Sequence, residues 1–439
     1  MTVFRKILIK RAAALLPALA MAFALTACGG SADSRQTQKA QERQEEQKVQ
    51  EPQKAQAGQE LQEAQTAATA DVAGQQSMGE EAGTKPSEGF TITDISGREV
   101  TFEKRPQTFV VANYILNFLL IGGGESLDKV VGLTMDGWED TRYGEYTALT
   151  EAFPQIKEIR SIGGYHDDVL DRESILELAP DCLLINSSQY TENETSIPTW
   201  EAAGIKIVVL DYHKMKLENH LDSTKILGGL LGKEDVAQEL CDRYSDSIQT
   251  VQERIASLSE EEKDIKVYVE LGNAGVGEIG NSYDGMLWGA IIDNLGAKNI
   301  AAGKLPDSYG PLDKEYILEQ DPDVIVIGGS IWSGDDDQDQ MRMGFTIPEE
   351  LAMERLAGFA GRDWSQYLSG IKKGEIYGVD HGSLRNILDY TFTVYLAKVL
   401  YPGQFGDMDP QTEYREALAR YLPEVTVPGT FMIRYDPEG

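Results

Sequence analysis

The sequence predicts an α/β protein with two similar lobes, each built on a parallel sheet, joined by one long helix and facing each other across a cleft. Three observations predict it. The frame E-x-I-L-E-x-x-P-D occurs twice, at Glu173–Asp181 and at Glu315–Asp323. Each copy runs straight into an apolar strand, Cys182-Leu183-Leu184-Ile185 in one case and Val324-Ile325-Val326-Ile327 in the other, so a short helix, a Pro-Asp turn and a buried strand recur as a unit. Between the copies lies the longest helical pattern in the chain. The alternative is one αβ unit reused inside a single sheet.

The chain opens on a leader. Arg5, Lys6, Lys10 and Arg11 precede an apolar run, Ala12 to Leu25, that is short for a membrane span. It ends in Leu25-Thr26-Ala27-Cys28, which resembles a bacterial lipoprotein signal: residues 1–27 are removed and Cys28 carries a diacylglycerol. An ordinary signal peptide with a chance cysteine is the alternative. Residues 28–88 are Gln, Glu, Ala and Lys with few large apolar side chains, a composition that cannot offset the entropy of ordering, and they read as a disordered tether.

The first lobe is expected over residues 89–232. Phe90 to Phe102 alternates about Ser96-Gly97, as a hairpin does. Thr108–Ala112 and Val130–Leu133 read as strands, followed by the strand of the first repeat and by Ile205–Leu210 after a short helix. Short helices alternating with apolar strands indicate a parallel sheet covered on both faces. A bridging helix is expected over 233–260, because Val236, Leu240, Tyr244, Ile248, Val251, Ile255 and Leu258 fall on one helical face. The second lobe follows over 261–439. It has a strand at Ile265–Leu271, a helix at Tyr283–Leu295, the second repeat, a last strand at Glu375–Asp380 and a closing helix at Arg385–Leu400.

A formal net charge of −32 argues against nucleic acid, whose phosphates need Lys and Arg, and against lying on an anionic membrane. Cys182 and Cys241 sit in apolar-periodic segments and read as small buried hydrophobes, with their pairing left open. Gly275-Val-Gly277-Glu-Ile-Gly280 has dinucleotide-loop spacing but does not open directly into a helix. Asp335–Asp339 lacks the glycine and distal glutamate of a calcium loop and reads as a solvated turn.

The order of leader, tether, lobe, helix and lobe resembles the extracytoplasmic solute-binding proteins of ABC importers for ferric siderophores, haem and cobalamin. The stretches that carry the resemblance are the hairpin Ile92–Phe102, Lys104–Val111, both repeats, Leu295–Ala301 and Leu396–Pro402. The resemblance implies two Rossmann-like lobes bridged by a rigid helix and a small-molecule ligand held in the cleft between them. It also implies an ABC permease dimer with a cytoplasmic ATPase as partner, a monomeric binding protein without enzymatic activity or intrinsic cofactor, and a place on the outer face of the cell membrane. The ligand it implies is an iron(III) chelate, with haem and cobalamin as alternatives. The repeat-opening glutamates, Glu173 and Glu315, would dock on permease arginines, although each also suits a helix N-terminus on its own.

The ligand site is expected at the carboxyl ends of the strands. Candidates there are Asn113, Tyr114, Trp138, Tyr165, His166, Ser187, Ser188, Tyr190, Tyr212 and His213 in the first lobe. The second lobe offers Asn281, Ser282, Tyr283, Trp332, His381 and Arg385. Aromatic faces suit a catecholate or tetrapyrrole, His381 and His166 could complete an iron shell through a bound chelate, and Arg385 could pair with an anionic complex. Packing within a lobe is the other reading of each aromatic. No dedicated metal site is expected. A secreted metal-dependent hydrolase using the same cleft is the competing class, and the four scattered histidines argue against it.

Overall fold

The computed structural model describes residues 89–165, 167–330 and 339–436. The leader, Cys28, the tether, His166, Trp332 and residues 335–338 lie outside the described residues.

The first lobe begins with the hairpin β1 (Phe90–Thr93) and β2 (Glu99–Phe102). Its main elements follow as β3 (Phe109–Val111), α1 (Ile115–Gly122), β4 (Val130–Leu133), α2 (Trp138–Thr141), α3 (Tyr143–Ala152) and β5 (Arg160–Ser161). Then come α4 (Arg172–Leu178), β6 (Cys182–Ile185), α5 (Ser187–Glu192), α6 (Ile197–Ala202) and β7 (Lys206–Val209). Strands β3 to β7 form one all-parallel sheet, in the order β5-β4-β3-β6-β7. The order reverses between β3 and β6, which leaves a crevice at their carboxyl ends.

Two antiparallel helices, α7 (Leu217–Leu231) and α8 (Glu234–Ala256), lead out of this lobe. The second lobe comprises β8 (Lys266–Leu271), β9 (Asn281–Tyr283), α9 (Leu287–Asn294), β10 (Lys298–Asn299), β11 (Tyr309–Pro311), α10 (Lys314–Gln320) and β12 (Val324–Gly329). It continues with α11 (Glu349–Ala360), β13 (Ile376–Asp380), α12 (Tyr390–Leu400), α13 (Pro410–Tyr421) and β14 (Met432–Arg434). Its sheet runs β10-β8-β12-β13-β14, parallel except for β14. The described residues thus hold two separate five-stranded sheets, beside the hairpin β1–β2 and a small β9–β11 ladder.

The repeated frame has one physical explanation in both lobes. Its isoleucine, Ile175 or Ile317, is fully buried under the sheet. Its helix ends on a left-handed residue, Ala179 (φ 42°) or Asp321 (φ 46°). The Pro-Asp that follows turns the chain into the strand, and the aspartate accepts backbone N–H groups at the start of the neighbouring strand. Asp181 takes those of Gln107 and Thr108 at 2.8 and 3.1 Å, and Asp323 takes that of Lys266 at 3.1 Å.

The core follows the two-residue period of the strands. Cys182 and Leu184 of β6 and Val324 and Val326 of β12 point into one cluster shared with α7, α8 and α12. Leu183 and Ile185 point the other way, into a core of the first lobe, and Ile325 and Ile327 into a core of the second. Both sheets therefore lean one face on a common helical layer. Within it, α8 is braced to the C-terminal helices by Glu239–Arg420 at 2.6 Å, Tyr244–Asp389 at 3.2 Å and Arg254–Asp407 at 2.6 Å. Cys182 and Cys241 are both free and buried.

Three expected boundaries need correction. The closing helix starts at Tyr390 rather than Arg385, because Arg385 is left-handed (φ 72°) and the Asp389 carboxylate takes its N–H and that of Asn386. The helix expected from Tyr283 starts at Leu287, because Tyr283 pairs with Tyr309 in a small β9–β11 ladder. The strand at Glu375–Asp380 is not the last, since the three-residue β14, too short to read from its pattern, adds antiparallel to its edge.

Candidate functional site

Between the sheets, three adjacent cavities share Arg142, of about 60 Å³, 50 Å³ and 10 Å³. The first is walled by Asn113, Tyr114, Trp138, Arg142, Tyr165, His213 and Arg385, so both lobes contribute. The largest of these spaces has room for a few water molecules.

Two guanidinium groups dominate the electrostatics. Arg142 lies at the break between α2 and α3, is 7% exposed, and its Nη1 has no hydrogen-bond partner. Arg385 enters from the second lobe, its Nη2 2.9 Å from His381 Nε2. Burial, and then the nearby charge of Arg142, pull its pKa down to about 10, so it stays cationic at neutral pH. A buried cation without its full complement of acceptors is costly, and an anion is what relieves it.

The backbone of Arg385 is clamped from both lobes. Its N–H donates to Asp389 at 3.0 Å, and its carbonyl accepts from Asn117 Nδ2 of α1 at 3.0 Å. Asn117 Oδ1 accepts the Ile387 N–H at 2.9 Å. One asparagine of the first lobe therefore grips the loop of the second.

Around the arginines, Trp138 and Tyr165 stack at 5.4 Å with rings nearly parallel, and both donate to Glu145 Oε1, at 3.1 and 2.9 Å. Tyr114 and His213 are joined at 2.6 Å (Oη to Nδ1). Burial raises the phenols of Tyr114 and Tyr165 well above their usual range and that of Tyr283 to about 12, so all three are neutral. Asp380 at the end of β13 is raised from 3.8 to about 6, first by burial, against the opposing pull of Ser383 and Arg142.

The structure thus brings together Asn113, Tyr114, Trp138, Tyr165, His213 and Arg385, with Tyr283 stacked on His381 beside them at 5.7 Å. It does not bring in Tyr212 or Tyr190. Tyr212 is fully buried with its hydroxyl on Thr224, because the chain past β7 turns that ring toward α7. Tyr190 lies on the opposite face of the sheet, under the Arg98 guanidinium. His381 is buried, and both its ring nitrogens face N–H donors, Trp288 Nε1 at 3.0 Å and Arg385 Nη2, which leaves it badly placed as an iron ligand. Among the described residues no cluster of three or more His, Cys, Asp or Glu could hold a metal ion. The glycine loop 275–280 wraps a buried ion pair instead of a phosphate: Arg362 bonds Glu270 at 2.7 Å and takes the carbonyls of Gly275 and Glu278.

Arg142, Asn117, Glu145, Asp380 and Asp389 were not anticipated. Arg142 and Glu145 do not follow a strand, so a search of strand ends passes them over. One signal was available: Asn117 is the lone polar residue in the apolar run I-L-N-F-L-L-I. Glu173 and Glu315 occupy the same position, the second residue of α4 and of α10, and both are exposed. Glu177, a turn later, is already bonded to Arg160 at 2.8 Å.

The family described as "Periplasmic binding protein" matches residues 144–343, a span that runs from α3 through β5–β7 of the first lobe and both α7 and α8 to β8–β12 of the second. A TroA-like periplasmic binding protein, FepB, of Veillonella parvula superimposes with a TM-score of 0.72 at 29% identity, over 79% of this chain and 99% of its own. By that match and that superposition the chain is similar to the periplasmic binding proteins. The ABC transporter substrate-binding lipoprotein YvrC of Bacillus subtilis is 24% identical over 240 residues, 54% of this chain and 68% of the relative. A cobalamin-binding protein of Halobacterium salinarum is 25% identical over 249 residues, and the chain spans 59% of that protein's length. The chain is a substrate-binding protein of the ABC-importer type, and the proteins it resembles are transport components.

Proposed function

We propose that this chain captures an anionic metal chelate, of the iron(III)-siderophore kind, between its lobes and delivers it to an ABC permease, held at the outer face of the membrane by lipid on Cys28. The observation that carries the ligand class is the pair Arg142 and Arg385. Two cations from opposite lobes meet in one buried cleft, and one of them has an unpartnered nitrogen. An anion bridging them would draw the lobes together and satisfy Arg142 Nη1. A chelate is larger than these cavities, since ligand pockets run to roughly 300–1,000 Å³, so the lobes must part for it to enter. The braced helix α8 limits that motion to a small rigid-body opening.

Trp138 at the cavity wall is a natural reporter. Fluorescence titration of the purified protein with ferric citrate, ferric catecholate and hydroxamate siderophores, haemin and cobalamin tests the reading. Binding of an anionic ferric chelate is expected, weakened about tenfold or more in Arg142→Gln and Arg385→Gln, as loss of a charge-assisted contact requires. Binding of cobalamin alone, or affinities indifferent to both arginines, would overturn it.

A further inference from the structure

We propose that His220 is a buried imidazolium that serves as the positioning residue for Arg385, acting through Asp389. The inference rests on the proposed function only in taking Arg385 as a ligand-binding group. His220 is fully buried on α7. Its Nδ1 faces the Lys216 carbonyl at 3.1 Å, and its Nε2 faces Asp389 Oδ2 at 3.2 Å. Both partners are acceptors only. A neutral imidazole has one N–H, so it would leave an acceptor lone pair against a ring lone pair; the doubly protonated ring satisfies both.

Asp389 spends the rest of its capacity on the ligand loop. Its Oδ2 also takes the N–H groups of Arg385 and Asn386, at 3.0 and 3.3 Å, and its Oδ1 takes the Tyr244 hydroxyl of α8 at 3.2 Å. Arg385 needs that hold because a residue with a side chain does not rest at φ 72° unaided. An uncompensated carboxylate at this depth would be expensive, and His220 supplies the matching charge. The chain of contacts runs from α7 and α8 through one carboxylate to the backbone that aims the guanidinium into the cleft.

The groups that face His220 agree. Asp389 and, further off, the Asp211 carboxylate favour its charged form, while Tyr212 and Tyr244 present neutral rings at 5.1 and 5.0 Å. The thiol of Cys241, which donates to the Leu221 carbonyl at 3.5 Å, is neutral, its pKa raised by burial. Burial opposes the charge, yet the net direction for His220 is upward.

Nitrogen-15 NMR of the full chain, free of any ligand, tests the charge. Both His220 ring nitrogens should resonate as protonated at pH 7 and leave that state only at higher pH. A neutral tautomer at pH 7 would overturn the proposal. Positioning is read in His220→Gln and Asp389→Asn through the Arg385 Nε–Hε signal, with Arg362, paired to Glu270 on the far core, as the internal control. Arg385 should lose order while Arg362 keeps it; an unchanged Arg385 overturns the positioning role. Where a variant does not fold, the wild-type titration decides. Neither measurement uses a ligand, so a failed chelate screen leaves this inference standing and its own failure leaves the screen intact.

Discussion

Asp380 and Arg142 set the pH response of the cleft. A Cβ placed at Gly382 would lie 2.9 Å from Arg142 Nη1 and 3.2 Å from Asp380 Oδ1, so the two side chains are close neighbours. Above its pKa of about 6, Asp380 is a carboxylate that competes with any anion for Arg142; below it, the competitor is gone. Binding of sulfate, whose charge is constant between pH 5 and pH 8, should therefore tighten several-fold as pH falls through about 6. Asp380→Asn should bind with a flat profile, and isothermal titration at a series of pH values checks both. The stability linkage has the same origin. The fold favours the neutral acid, so the advantage present below the ordinary 3.8 is lost as pH rises through about 6. His220 has a raised folded pKa too, so its contribution is complete below about 6.5 and fades as pH climbs past its higher folded value.

Helices α4 and α10 show how a short element can be specified by nine residues. Each has one fully buried isoleucine, a left-handed stop and an aspartate that caps the adjacent strand. Ile175→Ala and Ile317→Ala should each cost about 2–5 kcal/mol, the range for deleting a buried aliphatic side chain. Urea denaturation with an unchanged slope checks that the loss is one of packing. These elements were legible because burial and turn chemistry are local. The loop at 383–389 was not. Its sequence continues a helical pattern, and the Asp389 carboxylate, supported from α7 and α8, together with Asn117 from the first lobe, holds Arg385 out of the helix. The ligand aromatics divide in the same way. Position after a strand placed Tyr114, Tyr165 and His213 at the cleft, yet the same rule also chose Tyr190 and Tyr212, whose rings turn toward the outer face of the first sheet and toward α7. Strand-end position gives the neighbourhood of a side chain, and local backbone direction gives its face.

At the scale of the whole molecule, two exposed glutamates at matching positions of the two lobes present a pair of charges on a stiff frame. Docking through them is a proposal carried by that match. Reversing both, Glu173→Lys with Glu315→Lys, should abolish uptake in cells while ligand affinity measured in solution stays unchanged. Uptake that survives the double reversal would remove these residues from the docking surface. The helix between the lobes was visible in its apolar stripe, and the two lobes in their repeated unit, because both patterns are written within a few turns or strands of chain. The same local writing fixed the family resemblance and the strand ends where a ligand would sit. The tertiary structure alone decided that Arg142 and Arg385, 243 positions apart in the sequence, share one cleft, that Asn117 fastens the loop carrying Arg385, and that His220 answers the charge of Asp389. Those are encounters between groups whose sequence neighbours carry no trace of one another, and a buried charge acquires its meaning only from what the fold sets against it.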